Sequence, residues 1–209
     1  MVDAYEIMYD PMPGSLIDAA IVGSELHMTG ILLDRLKFAI GPTWIGFEDL
    51  TVPRQWREAL RSKGCEFKDA SFARTLTQDA TVYWDSTASR TCMRGGSVDL
   101  TWDTTAHADA TLDEGFPSPR DIMLTMSWAC HKRSPGFTDG GRLGLSPFYV
   151  HKGDLIAAIS GGKALYAIRP TTAGRYIYIG ECFLDEMMDG QAVEWAKQQK
   201  VEPGGIILV

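Results

Sequence analysis

The sequence predicts an α+β fold with an antiparallel, barrel-like sheet, and three hairpin-linked strands near the C-terminus provide most of the evidence. Two apolar runs of strand length, Asp154–Ser160 and Lys163–Arg169, are separated by Gly161-Gly162, and a Gly-Gly pair supplies the positive φ that a tight hairpin turn requires. A third run, Arg175–Phe183, alternates tyrosine with isoleucine in period two. We expect these strands to form a meander that the other segments close or cover.

The first half of the chain predicts a strand followed by two helices. Glu25–Leu33 is a strand-length run whose late part is apolar on both faces, which predicts burial on two sides. A helix begins at Val52-Pro53 and ends before Gly64, because proline suits a first turn and glycine suits the position after a last turn. Asp69 is the expected N-cap of a second, shorter helix.

Two helices flank the meander, and a short strand ends the chain. Ser118 is the expected N-cap of a helix over Pro119–Lys132, which Ser134-Pro135-Gly136 should stop. A last helix is expected from Asp189-Gly190 through Lys200, and Ile206–Val209 should rejoin the sheet. No internal repeat or linker divides the chain, so we expect a single domain over residues 1–209.

Asp85–Pro117 is expected to be one long loop excursion, or lid, preceded by a possible strand at Thr81–Trp84. The segment is rich in Thr, Ser, Asp, Ala and Gly and poor in aliphatic residues, so it cannot build a core of its own. Long loops on a rigid scaffold often carry binding groups. The predicted fold is therefore a sheet with a few packed helices and this one long loop.

Composition narrows the class of protein. Hydrophobic residues make up 45% of the chain and charged residues 22%, which is typical of a globular domain. The formal net charge is −7, with 20 Lys and Arg against 27 Asp and Glu, which argues against nucleic acid as the main partner. No apolar run is long enough to span a membrane, and the acidic N-terminus lacks the features of a signal peptide. We therefore expect a cytoplasmic protein whose four cysteines are free thiols.

A search for established catalytic and cofactor motifs finds none. Phosphate loops, the dinucleotide fingerprint, GxSxG and HExxH are absent. The histidines are spread along the chain, and the cysteines lack paired ligand spacing. We therefore predict neither a cofactor nor a metal.

Two titratable side chains are the predicted catalytic candidates. His131 lies near the end of its helix, where it could donate a proton or polarise a substrate at a pocket rim. The alternative is a favourable contact with the helix C-terminus. Asp185 belongs to an acidic cluster with Glu181, and in a strand the two would share a face and could act as acid or base at the mouth of a barrel. A solvated turn is the alternative for that cluster.

Aromatic residues around the excursion predict a substrate-binding cavity. The predicted lining consists of Trp84, Trp102, His107 and Trp128. Such side chains could enclose an apolar small molecule between the sheet and the excursion, although most aromatic surface in a protein is core.

The order of these segments resembles the C-terminal region of fungal heterokaryon-incompatibility (HET domain) proteins. Gly140–Pro170 and Arg175–Val193 are similar to that family's GRLGLGP-like turn, its strand ending in RP and its strand closing in an MDG-like turn. Ser24–Leu36 and Ala70–Leu76 resemble earlier segments in the same order. The HET domain proper is not in this sequence, so the resemblance implies the fold and not cell-death signalling. It supplies no catalytic residues, and Asp185 stands where the pattern often has His.

Two functional hypotheses follow. The first is a cofactor-independent cyclase or isomerase acting on an apolar small molecule in fungal secondary metabolism. At the level of class it resembles the stand-alone norbornene-forming Diels–Alderases of terpenoid pathways, because a shaped apolar cavity can hold a reactive conformer. The alternative is a non-catalytic interaction module derived from a HET-type signalling protein. A deep apolar pocket would favour the enzyme, and a filled interior with exposed apolar surface would favour the module.

Overall fold

A computed structural model describes residues 9–41, 51–84, 90–94 and 119–209 of the 209-residue chain. Over these residues the fold is α+β with a ring of antiparallel strands, which confirms the predicted class. The helices are α1 Thr51–Ser62, α2 Asp69–Thr77, α3 Pro119–Ala129 and α4 Gln191–Gln199. The strands are β1 Ala19–Val22, β2 Glu25–Ala39, β3 Ala80–Trp84, β4 Arg90–Arg94, β5 Arg133–Thr138, β6 Leu143–Pro147, β7 Leu155–Ile159, β8 Leu165–Pro170, β9 Tyr176–Leu184 and β10 Gly204–Leu208.

A closed ring of six strands forms the centre of the molecule. From β2 it passes through β7, β8, β9, β6 and β5 and returns to β2. Strand β2 can serve both ends of the ring because it is 15 residues long and shifts register twice, between Leu32 and Asp34 and between Leu36 and Phe38. Such bulges bend a strand and increase its twist. The early part of β2 also pairs with β1 and β10, and β10 reaches β9 at its far end.

The predicted meander is confirmed. Strands β7, β8 and β9 are successive and antiparallel, and Gly161 in the β7–β8 link has a φ of +73°. Glycine meets that conformation without the steric cost that other residues bear. The local turn chemistry of this segment was therefore sufficient to predict it.

Two apolar clusters cover the opposite faces of β7, the first strand of the meander. Ile156 and Ala158 of β7 belong to the larger cluster, which includes side chains of all four helices, whereas Ala157 and Ile159 belong to a smaller one with Ile206 of β10. This alternation follows the period of two along a strand. Both faces of β7 are thus covered by the protein's own side chains.

Several local predictions were wrong. Strand β2 continues six residues beyond Leu33, and Leu32 is 37% exposed, so the late part of the run is not buried on both sides. Helix α3 ends at Ala129, and the expected stop at residues 134–136 is instead part of β5. Asp69 is the first residue of α2 and not its cap; its carboxylate lies 2.9 Å from Arg61 of α1.

The expected excursion contains a strand. Strand β4 pairs with β3 in register, Ala80 opposite Arg94 and Trp84 opposite Arg90. Residues 90–94 therefore belong to a β-hairpin and not to a loop, because they pair with β3. The rest of the expected excursion, residues 85–89 and 95–117, lies outside the described residues, and so does Ser118. None of the helices in the described part of the chain has the length and hydropathy needed to cross a membrane.

The described cysteines are free and buried. Cys65, Cys130 and Cys182 form no disulfide, which agrees with the predicted free thiols at these positions; Cys92 lies where side chains are not described. Burial raises the pKa of the Cys182 thiol to about 12, and it raises that of Cys130 as well. A thiol loses its proton less easily in a low-dielectric environment.

Cys182 should make the protein less stable as the pH rises above 9.0. Between 9.0, the ordinary thiol value, and about 12 the unfolded chain loses this proton while the folded chain keeps it. The contribution of this thiol to the free energy of unfolding is complete below pH 9.0. It falls by about 1.4 kcal/mol per pH unit as the pH rises through that window. Urea unfolding across this range should show a shallower fall for Cys182→Ala than for the wild type. Equal slopes for the two proteins would contradict the assignment.

Candidate functional site

Asp185 follows β9 and forms an ion pair with Arg74 of α2, in which the carboxylate is buried. It is 6% exposed, and its Oδ1 and Oδ2 accept hydrogen bonds from Nε and Nη2 of Arg74, each at 2.8 Å. The Ser71 hydroxyl donates to Oδ2 as well. The hydrogen bond to Asp185 is the main cause that raises the pKa of Arg74. These partners occupy both carboxylate oxygens of Asp185 and join α2 to the end of β9. The catalytic role expected of Asp185 remains a prediction.

Glu181 and Asp185 lie in different surroundings, and their common face remains a prediction. Glu181 is exposed, whereas Asp185 is buried just beyond the last residue of β9. The strand ends at Leu184, and the backbone N–H of Asp185 donates a hydrogen bond to Leu143 O of β6 at 2.9 Å just past it.

Of the predicted site residues, His131 is the one that lines a described cleft. It is exposed and follows α3. Trp128 on α3 is 40% exposed but is not in the lining of this cleft, and neither is Asp185. The Trp84 side chain, Trp102 and His107 lie outside the described part of the chain. The structure therefore does not bring the two catalytic candidates together at this cleft.

The cleft lies beside a gap in the wall of strands. Strand β9 pairs with β10 only at Tyr176 and with β6 only at Phe183 and Leu184. Residues 177–182 therefore have β8 on one side and no strand of the described chain on the other. The cleft has a volume of about 320 Å³ and is lined by His131, Lys132, Arg133, Pro147, Tyr178 and Glu181.

A β-bulge turns two of these side chains to the same side. In the pairing of β8 with β9, Ile168 lies opposite Tyr178 and Ala167 opposite Gly180, so Ile179 is an extra residue. In a regular strand, residues 178 and 181 would face opposite ways, but one extra residue restores a common face. Tyr178 and Glu181 accordingly both line the cleft.

Gly180 is required for this arrangement. Its φ is +151°, which is rare for residues with a side chain, and an added Cβ would lie 2.8 Å from Cγ of Pro147. A larger residue would both strain the bulge and press on the end of β6. Glycine therefore permits the close approach that shapes one wall of the cleft.

The backbone of β9 also faces the gap. Tyr176 O accepts a hydrogen bond from Val209 N at 2.9 Å, and Glu181 O accepts one from Nη1 of Arg133 at 2.7 Å. With Ile179 as the extra residue, alternation places the N–H and C=O of Tyr178 on the same edge as these two carbonyls. The cleft thus offers strand-edge hydrogen-bonding groups as well as side chains.

The electrostatics of the cleft are mixed, with basic groups on one side. His131, Lys132 and Arg133 are consecutive where the chain passes from α3 into β5, and Lys132 has a left-handed φ of +54°. Desolvation, followed by the nearby Glu181 charge, raises the pKa of the Tyr178 phenol. Its ring centroid is 6.0 Å from that of Tyr166. The arrangement can bind carboxylate or phosphate oxygens and can pair with a polypeptide backbone.

Sequence reasoning missed most of this site. Lys132, Arg133, Pro147 and Tyr178 were not predicted as site residues. One local signal could have suggested Tyr178, because Gly180 interrupts an otherwise regular alternation. Among the described residues, no group of three His, Cys, Asp or Glu side chains is placed to hold a metal ion.

Asp185→Asn should destabilise the fold without altering the cleft. Loss of the carboxylate charge leaves Arg74 without its main partner, and we expect a cost of about 2 kcal/mol, below the roughly 3–5 kcal/mol of a fully buried pair because the Arg74 side chain is 33% exposed. Glu186→Gln is the matched control, since Glu186 is 79% exposed and lies 3.4 Å from the same arginine. Urea unfolding measures both. Equal losses in the two variants would mean that Asp185 does not hold α2 in place.

The comparisons with known proteins agree with the fold. A family model for the Het-6 beta-barrel domain matches residues 61–201. Heterokaryon incompatibility protein 6, OR allele, of Neurospora crassa is 29% identical over 96 residues, which are 44% of this chain and 13% of that protein. No solved structure matches the chain. Because the family match spans more than half of the sequence, this chain belongs to the Het-6 beta-barrel domain family.

Proposed function

We propose that this Het-6 barrel domain is a protein-interaction module that binds a polypeptide segment in the cleft beside β9. The observation that carries the proposal is the gap between β6 and β10, where residues 177–182 of β9 present an edge with no strand beside it in the described chain. An unpaired strand edge is a template for another chain. Here it stands next to an aromatic side chain and several polar ones.

The character of the cleft supports binding over the enclosure of a substrate. Tyr178 is 48% exposed, and His131, Lys132 and Glu181 are exposed too. Partly exposed tyrosine provides large contact area together with a hydroxyl group, which suits protein recognition. Both faces of β7 are covered by the chain's own side chains, which is the filled interior expected of a binding module.

The Neurospora relative bears the name heterokaryon incompatibility protein 6, and this chain covers a small share of its length. We therefore extend to this chain the binding of another protein and not the incompatibility function itself. We also keep as proposals that the 209 residues act as one domain and that they work in the cytoplasm.

Selection from a random peptide library should test the binding role. Peptides enriched on the wild-type protein should lose about fivefold or more in affinity for Tyr178→Ala, since truncating an aromatic side chain that anchors an interface costs more than about 1 kcal/mol. They should bind Tyr149→Ala normally, because Tyr149 is 59% exposed but does not line the cleft. Fluorescence anisotropy gives the affinities. Failure to enrich any peptide that depends on Tyr178 would overturn the proposal.

A second candidate function is the cofactor-independent cyclase or isomerase, of the Diels–Alderase type, acting on an apolar small molecule. Two observations favour it: His131 lies at the rim of a cleft, and Trp128, three residues earlier, is 40% exposed. Pericyclic catalysis also needs a shaped apolar enclosure, whereas the lining residues of this cleft are mostly polar. We therefore favour the binding module.

Incubation with apolar polyenes distinguishes the two candidates. The binding module should give neither faster cyclisation nor a rise in Tm with such compounds, because a ligand stabilises only a fold that binds it. His131→Gln should behave as the wild type does. Acceleration that His131→Gln abolishes would support the cyclase and remove the module as the leading proposal.

A further inference from the structure

We infer that the segment recognised in the cleft is an extended, acidic polypeptide that adds as a strand to the free edge of β9. This inference rests on the proposed interaction role and names the chemistry of the partner. It combines two independent features of the cleft, the backbone edge and the basic side chains beside it.

The free edge has the length and direction that a short added strand needs. Residues 177–182 span about 20 Å at roughly 3.3 Å per residue. Alternation places the backbone groups of Tyr178 and Glu181 on the open side, with Glu181 O already held by Arg133. Strand addition uses such main-chain groups for affinity and side-chain sites for specificity.

The basic residues supply the specificity. His131, Lys132 and Arg133 line one side of the cleft, and Arg133 uses Nη1 to hold the strand while its guanidinium has further N–H donors. Charge-assisted hydrogen bonds to carboxylates are the strong ones. The chain as a whole has a net charge of −7. An acidic segment should therefore be attracted only at the cleft, where these three basic residues lie together.

Glu181 opposes this attraction and makes the inference testable. It is the single carboxylate among the lining residues of the cleft, and its side chain is exposed. Its contact with Arg133 runs through the backbone carbonyl, which a side-chain substitution leaves in place. Neutralising Glu181 should therefore strengthen binding of an acidic peptide, an effect that a merely structural residue would not produce.

The probes are two fluorescein-labelled peptides, one alternating glutamate with valine and the other alternating lysine with valine. Fluorescence anisotropy with the full chain should show binding of the glutamate peptide, weakening as salt is added, and no comparable binding of the lysine peptide. Glu181→Gln should tighten the Kd by about two- to fivefold, and Lys132→Gln should weaken it by a similar factor. Lys200→Gln is the matched control, since Lys200 has the same left-handed conformation after α4 but does not line the cleft.

Strand addition has its own readout. A glutamate peptide with N-methylated backbone amides should lose binding, because it cannot donate to β9. Equal binding of the lysine peptide, weaker binding by Glu181→Gln, or full binding of the methylated peptide would overturn the inference. If library peptides depend on Tyr178 yet carry no acidic residues, this inference fails while the interaction role stands. If no peptide depends on Tyr178, both fail.

Discussion

The change of partners along β9 is the constraint from which the rest of the structure follows. A closed barrel has no free edges, because every strand pairs on both sides. Strand β9 meets β10 at one end and β6 at the other, and between them it pairs with β8 alone among the described strands. The ring of strands can still close because β2 is long enough to serve both ends. The gap therefore lies within a stable frame, and the frame does not depend on filling it.

The bulge at Ile179 shapes that gap into the surface for which recognition is proposed. Without the extra residue, Tyr178 and Glu181 would lie on opposite faces, and the cleft would lose one of its walls. Gly180 permits the bulge through a conformation and a close approach that a side chain would forbid. A single local irregularity thus aligns an aromatic ring, a carboxylate and a strand edge with the basic residues that follow α3.

Stability and the proposed recognition depend on different residues. Asp185 and Arg74 join α2 to the end of β9 through a pair whose carboxylate is buried, and removal of one partner would leave a charge without compensation. The cleft side chains are mostly exposed, so substitutions there should change binding more than folding. This separation suits a module whose surface can vary while its core is kept. Membership of the Het-6 beta-barrel domain family accounts for the frame, and the proposed function concerns the cleft built upon it.

The sequence by itself determined the elements whose signals are local. The Gly161-Gly162 turn, the three strands of the meander and a helix that opens near Val52-Pro53 depend on residues a few positions apart, and all were predicted. Strands β5 and β6 were missed because Pro135 and several glycines resemble a loop, and only pairing with β2 and β9 makes strands of them.

Tertiary structure alone decided the site. The partner of Asp185 is 111 residues away in sequence, and the common face of Tyr178 and Glu181 arises from a register shift against β8. His131 was identified by residue type, but the other lining residues of the cleft come from β5, β6, β9 and the link after α3. Local patterns report periodicity and turn chemistry, whereas these contacts form only when distant segments pack together.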